Sequence, residues 1–227
     1  MNSPVIIQTV DLKQVVSNRE EPIVILDGIN LSIQKGETVA IVGVSGSGKS
    51  TLLGMLAGLD YPSSGQVLMA GEDITGLDEE ARSELRGEKV GFVFQNFQLL
   101  PGLTALENVM LPMEVRGDRA AKEKASQWLE KVGLAKRASH LPQQLSGGEQ
   151  QRVAVARAFA GEADILFADE PTGNLDTKTG EHIANLLFEL NEQQGTTLIL
   201  VTHDNKLASL CQRQLRMESG RLSEVSA

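Results

Sequence analysis

Residues 43–50 read GVSGSGKS, with glycine at the first, fourth and sixth places and Lys-Ser behind them. This is G-x-x-x-x-G-K-S, the Walker A pattern. An apolar run of strand length, TVAIVG (38–43), leads into it, and GKSTLLGMLA (48–57) continues with a helical pattern. A strand, a glycine turn and a helix in that order define an α/β unit built around an anion. Gly43, Gly46 and Gly48 let the backbone turn tightly and aim its N–H groups inward. The whole stretch, Gly43, Val44, Ser45, Gly46, Ser47, Gly48, Lys49, Ser50 and Thr51, is therefore expected to hold phosphate. Lys49 is expected to reach the β- and γ-phosphates, and the Ser50 hydroxyl to ligate Mg²⁺. The competing reading is a plain glycine-rich turn without a ligand.

The rest of the chain repeats the α/β theme. Residues 23–33 read as a strand, and strand-like runs return at 66–70, 90–95, 164–169 and 196–202. Between 104 and 160 the pattern is helical, with Ala125, Trp128, Leu129 and Val132 at helical spacing. Residues 96–160 thus read as a helical insert in a domain with a mostly parallel sheet. The core would be 1–95 and 161–227. Only 24 residues follow His203, too few for a further domain.

Composition excludes several classes. With 21 Lys and Arg against 30 Asp and Glu the formal charge is −9, which argues against a nucleic-acid partner. Cys211 is the only cysteine, so no internal disulfide forms and a reducing, cytoplasmic setting fits. No run reaches the ~18 consecutive apolar residues of a membrane span, and the first residues lack a signal peptide's charged and apolar regions. The sequence predicts a soluble chain.

Residues 164–170, DILFADE, are an apolar strand ending in two carboxylates. Asp169, at the strand tip, suits Mg²⁺, and Glu170 suits orienting and polarising an attacking water. By itself the pair is equally an acidic turn. Gln95 ends the strand VGFVFQ (90–95), where it is placed to touch Mg²⁺ or the attacking water. His203 follows TLILVT (197–202) and is placed to bond a γ-phosphate and steady Glu170. Each alone is an ordinary strand end.

Residues 145–150 read LSGGEQ. Ser146 and Glu149 form a capping box for a helix running through 160. The box leaves Gly147 and Gly148 unexplained, because glycine in a first turn costs stability. Something is expected to approach that backbone closely, and a phosphate at a helix N-terminus would do so.

Taken in order, GVSGSGKS (43–50), Gln95, LSGGEQ (145–150), ILFADE (165–170), NLD (174–176) and His203 resemble the ABC transporter ATPases over nearly the whole chain. The resemblance implies a single P-loop NTPase domain, 1–227, with a mostly parallel sheet, an N-terminal antiparallel β part and a helical subdomain. It implies ATP and Mg²⁺ as ligands, with Ser50, Gln95 and Asp169 at the metal and Glu170, His203 and Gln95 as catalytic groups. It also implies a head-to-tail homodimer in the ATP-bound state. Each ATP would then meet Ser146, Gly147, Gly148 and Gln150 of the second copy, with Asp176 at the seam. Asp176 also reads as the N-cap of a helix over 177–193. An integral-membrane permease would hold the chain on the inner face of the cytoplasmic membrane.

Within the family, GFVFQNFQLLPGLTALENVMLP (91–112) and FADEPTGNLD (167–176) are similar to the lipoprotein-releasing and macrolide-export group, LolD and MacB. One departure stands out. The family's adenine-stacking aromatic falls, by alignment of DLKQVV, at Val15, and residues 1–60 contain no Phe, Tyr, Trp or His. Base stacking is worth ~1–3 kcal/mol. The alternative function is a soluble ABC ATPase uncoupled from transport. Translation factors of that kind carry two cassettes and repair heads a long coiled coil, and neither is present.

Overall fold

A computed structural model describes residues 3–17 and 21–225. Along the chain its elements are β1 (Val5–Val16), β2 (Ile23–Gln34), β3 (Thr38–Val42), α1 (Lys49–Leu56), β4 (Ser64–Met69), β5 (Glu72–Asp73), α2 (Glu79–Lys89) and β6 (Val90–Phe94). They continue with α3 (Ala105–Val115), α4 (Ala121–Lys131), α5 (Gly147–Ala160), β7 (Ile165–Asp169), α6 (Thr177–Gln194), β8 (Thr197–Thr202), α7 (Asn205–Ala208), β9 (Arg213–Glu218) and β10 (Arg221–Glu224). They fall into two compact units, one made of the chain up to Arg86 and from Thr197 onward, the other of Gly87–Thr196.

In the first unit, β1 buries Ile7, Thr9 and Leu12 on one face. It pairs antiparallel with β2, placing Ile7 opposite Ile33 and Leu12 opposite Ile29. The buried Thr9 hydroxyl donates to the Ile29 carbonyl and accepts from the Leu31 N–H, both at 2.9 Å, so this hydroxyl is satisfied on both counts. With β4 and β5 these strands make the antiparallel sheet β2-β1-β4-β5. The wholly buried β3 runs parallel to β8 on one side and β9 on the other, and β10 closes against β9 as an antiparallel hairpin.

In the second unit, β6 and β7 pair in parallel. Gly91 lets α5 approach β6, since a Cβ there would lie 2.6 Å from the Ala158 carbonyl oxygen. Trp128 of α4 stacks on Phe159 of α5 at 6.0 Å. The helical stretch is interrupted rather than continuous. At Gly117 and Gly133 the backbone turns left-handed, and the Asp118 and Leu134 N–H groups close back onto the Met113 and Leu129 carbonyls. These 6→1 bonds are helix stops that need glycine. Among the described residues no helix is long and apolar enough to cross a membrane.

Candidate functional site

The phosphate loop lies in the first unit. Helix α1 begins at Lys49 with Gly48 as its N-cap and no side-chain cap, the form of helix start whose backbone N–H groups suit an anion. The glycines differ in what they do. A Cβ at Gly43 would sit 2.4 Å from the Met217 carbonyl oxygen, so that position needs space. Gly46 has open space around it but a φ of 77°, so it needs conformational freedom. Lys49 is only 8% exposed, and its ammonium donates to the carbonyls of Gly43 and Val44, each at 2.9 Å. Val44, Ser45, Gly46 and Ser50 lie at the surface, Thr51 is half-buried and Ser47 is buried. A cavity of about 320 Å³ is walled by Gly43, Val44, His203, Asn205 and Arg216. The first unit therefore brings His203 to the phosphate loop.

The remaining residues lie in the second unit. Strand β7 buries Ile165 through Ala168 and ends at the half-buried Asp169. Its register sets Phe94 opposite Asp169, so Gln95 and Glu170 follow at neighbouring strand tips. Glu170 has a φ of 46°, a left-handed backbone that a side chain adopts at a cost and that recurs at functional positions. The next residues are pinned. The Gly173 N–H donates to the Glu170 carbonyl at 3.0 Å, and the buried Gln151 amide donates to the Pro171 carbonyl at 2.6 Å. Gln95 is exposed and reciprocally bonded to Asn174. Its Nε2 donates to Asn174 Oδ1, and Asn174 Nδ2 donates to the Gln95 carbonyl, both at 3.1 Å. With the amide N–H so engaged, Oε1 is the atom Gln95 offers a cation.

At the start of α5 the capping box forms. The Glu149 N–H donates to Ser146 Oγ at 3.3 Å, and Glu149 Oε2 accepts from the Ser146 N–H at 2.9 Å. These bonds hold the Glu149 carboxyl below its ordinary value, the Ser146 backbone N–H most strongly, with Arg137 adding its charge. Gly148 is partly explained within the chain, since a Cβ there would lie 2.5 Å from the Thr179 methyl. A Cβ at Gly147 would meet Leu175 and Phe97 at ordinary contact distance. Gln150 donates to the Leu145 carbonyl at 3.1 Å. Asp176 caps α6, accepting from the Thr179 N–H at 3.1 Å. Thus the segments 95–98, 146–150 and 170–176 converge within one unit.

Three residues given no role from sequence hold this convergence: Gln151, Asn174 and Arg157. Arg157 of α5 donates to the Phe97 and Gln98 carbonyls at 3.1 and 2.7 Å. Burial lowers its guanidinium pKa from the ordinary value. An Asn-Leu-Asp triplet and a basic residue late in an apolar helix were the only signals, and neither points to a partner.

The profile described as ABC transporter matches residues 26–173. The chain belongs to the ABC transporter family. As a member it is an ATP-binding subunit of an ABC transporter and an ATPase. Its sequence is 57% identical over 221 residues to the ABC transporter ATP-binding protein YbbA of Escherichia coli K12, covering 96% of this chain and 97% of that one. It is 46% identical over 228 residues to the lipoprotein-releasing system ATP-binding protein LolD of Hahella chejuensis, covering 100% and 98%. These relatives agree with the likeness expected from sequence, to the LolD and MacB group and within it to YbbA. The ABC cassette MJ0796, solved as a dimer in a post-hydrolysis state with ADP and Pi, superposes with a TM-score of 0.88 at 40% identity, covering 97% and 99%. The α/β fold, expected from sequence with a mostly parallel sheet and an N-terminal antiparallel β part, is shared with this cassette.

Proposed function

We propose that the chain powers a membrane permease of the lipoprotein-release or macrolide-export type, and that it does so as an ATP-bound homodimer. The observation that supports this most is the joint ending of β6 and β7. With Phe94 opposite Asp169, Gln95, Asp169 and Glu170 gather an amide oxygen and two carboxylates at neighbouring strand tips, groups suited to working on a nucleotide's terminal phosphate.

The phosphates take the loop 43–51, with the backbone N–H groups of α1 and Lys49 as counter-charges. Lys49 turns from the Gly43 and Val44 carbonyls to the phosphate oxygens. Ser50, Gln95 and Asp169 are hard oxygen donors of the kind Mg²⁺ takes. A bound Mg²⁺ would neutralise charge on the β- and γ-phosphates. Glu170 accepts the hydrogen bond of the attacking water and polarises it, and His203 donates to the γ-phosphate. Ser146, Gly147, Gly148 and Gln150 of a second copy grip the γ-phosphate from the α5 N-terminus, and Asp176 lines the seam. The helical part, 96–160, carries these groups and receives the permease at the cytoplasmic membrane.

The docking surface is read from Gln95, the half-buried Leu99 and the 44%-exposed Leu100, an apolar edge beside a site residue. Cysteine pairs between 95–100 and the cytoplasmic loops of the co-expressed permease should crosslink. A complete scan without a crosslink would overturn the coupling.

A further inference from the structure

Two consecutive residues beyond Gln95, Phe97 and Gln98, have φ values of 58° and 46°. Neither is glycine, so the backbone is held in a region that costs an L-residue free energy. The local bonds are few. The Phe97 N–H donates to the Phe94 carbonyl at 3.1 Å, and the Gln98 N–H to the Asn96 carbonyl at 2.5 Å. What opposes relaxation is Arg157. Its two terminal nitrogens donate separately to the Gln98 and Phe97 carbonyls, at 2.7 and 3.1 Å. A planar guanidinium with fixed donors fits two successive carbonyls in one orientation, which an ammonium cannot reproduce.

The near end of the segment is tied as well. Asn174 Nδ2 donates to the Gln95 carbonyl at 3.1 Å and to Asn96 Oδ1 at 2.6 Å. Residues 95–98 are therefore gripped at one end from the 170–176 segment and at the other from α5. We propose that Arg157 is a positioning residue for Gln95: by holding the Phe97 and Gln98 carbonyls it keeps the turn left-handed and fixes where the Gln95 amide stands. The inference deepens the proposed function, because it rests on Gln95 serving Mg²⁺ or the attacking water.

The test is made on the full chain. Arg157→Met keeps the apolar stem and removes the fork, and Arg157→Lys keeps the charge and serves if the Met variant does not fold. In ¹⁵N-labelled protein the Gln95 and Asn174 side-chain amide signals should shift in either variant. Turnover should fall roughly tenfold in Arg157→Met with little change in KM for ATP. Combining Arg157→Met with Gln95→Ala should add no further loss, because both act through one side chain. Placing glycine at both 97 and 98 in the Arg157→Met background should restore much of the lost turnover, since glycine needs no clamp to hold positive φ. Unmoved amide signals, or a turnover loss additive with Gln95→Ala and indifferent to the glycines, would overturn the proposal. If Gln95→Ala alone leaves turnover intact, the role given to Gln95 fails, while the amide signals still decide whether Arg157 positions it.

Discussion

Lys49 closes the loop it belongs to, donating to the Gly43 carbonyl at 2.9 Å and to the Val44 carbonyl at the same distance. Lys49 is buried, and these two carbonyls meet the charge of its ammonium. Lys49→Ala removes both the loop's tie and the phosphate's charge partner. The variant should lose hydrolysis and bind ATP far more weakly, as read by calorimetry and phosphate release. Amide exchange at 44–48 should also speed up without nucleotide. Wild-type turnover would contradict the assignment of the loop.

Val15 lies half-buried in β1, opposite Val24, which is 53% exposed. The neighbouring Val16 and Ile23 are exposed as well. An aliphatic surface therefore occupies the place assigned to an adenine-stacking ring. Val15→Tyr should tighten ATP binding about tenfold, the equivalent of one base stack at ~1–3 kcal/mol. An unchanged Kd by titration calorimetry would show that the base rests elsewhere.

How far these features were legible in the sequence depends on what signal each element carries. β3, β7 and β8 are buried along their length and read as apolar runs. By contrast α2 has only Arg82 buried among its 11 residues, so no apolar stripe announces it. β9 and β10 are short and largely polar, and they exist because β9 finds β3 and β10 finds β9. β1 is interrupted by a bulge at Asp11, with φ of 45°, which breaks its alternation. At the candidate site, the loop 43–51 and the LSGGEQ stretch stand in spaced motifs that the sequence displays. Asn174, Gln151 and Arg157 act on backbone carbonyls far along the chain, and a carbonyl leaves no mark in sequence.

The Glu149 carboxylate accepts from the Ser146 N–H, the Ser146 hydroxyl and Arg137. Its folded pKa lies below the ordinary value of 4.5 for that reason. The sign follows from linkage. The stabilisation is fully present above the unfolded pKa, and it is lost as pH falls through the lower folded one. Glu149→Gln should cost a few degrees of Tm near neutrality, the size of a lost cap bond of about 0.5–2 kcal/mol. The gap to wild type should close on acidification below the carboxylate range. Thermal melts of both proteins across that range decide it, and a gap that widens in acid would contradict the arrangement.

Glu170 and Ser146 test whether chemistry and assembly share one site. Glu170→Gln keeps size and shape but removes the charge that polarises water. Lys49, Ser50 and Asp169 remain to hold the nucleotide, so binding should survive while hydrolysis stops. If the γ-phosphate is gripped by Ser146, Gly148 and Gln150 of a second copy, unhydrolysed ATP links the two subunits by mass action. The Glu170→Gln protein should therefore move from monomer to dimer on adding ATP and not on adding ADP. Ser146 is exposed, and its hydroxyl is hydrogen-bonded to Glu149 in the capping box. Ser146→Arg in the same background should place a bulky cation on that surface and block the dimer, leaving ATP bound at the phosphate loop. Size-exclusion chromatography with light scattering distinguishes the outcomes. A Glu170→Gln protein that binds ATP and stays monomeric at high concentration, with or without its permease, would refute the shared site.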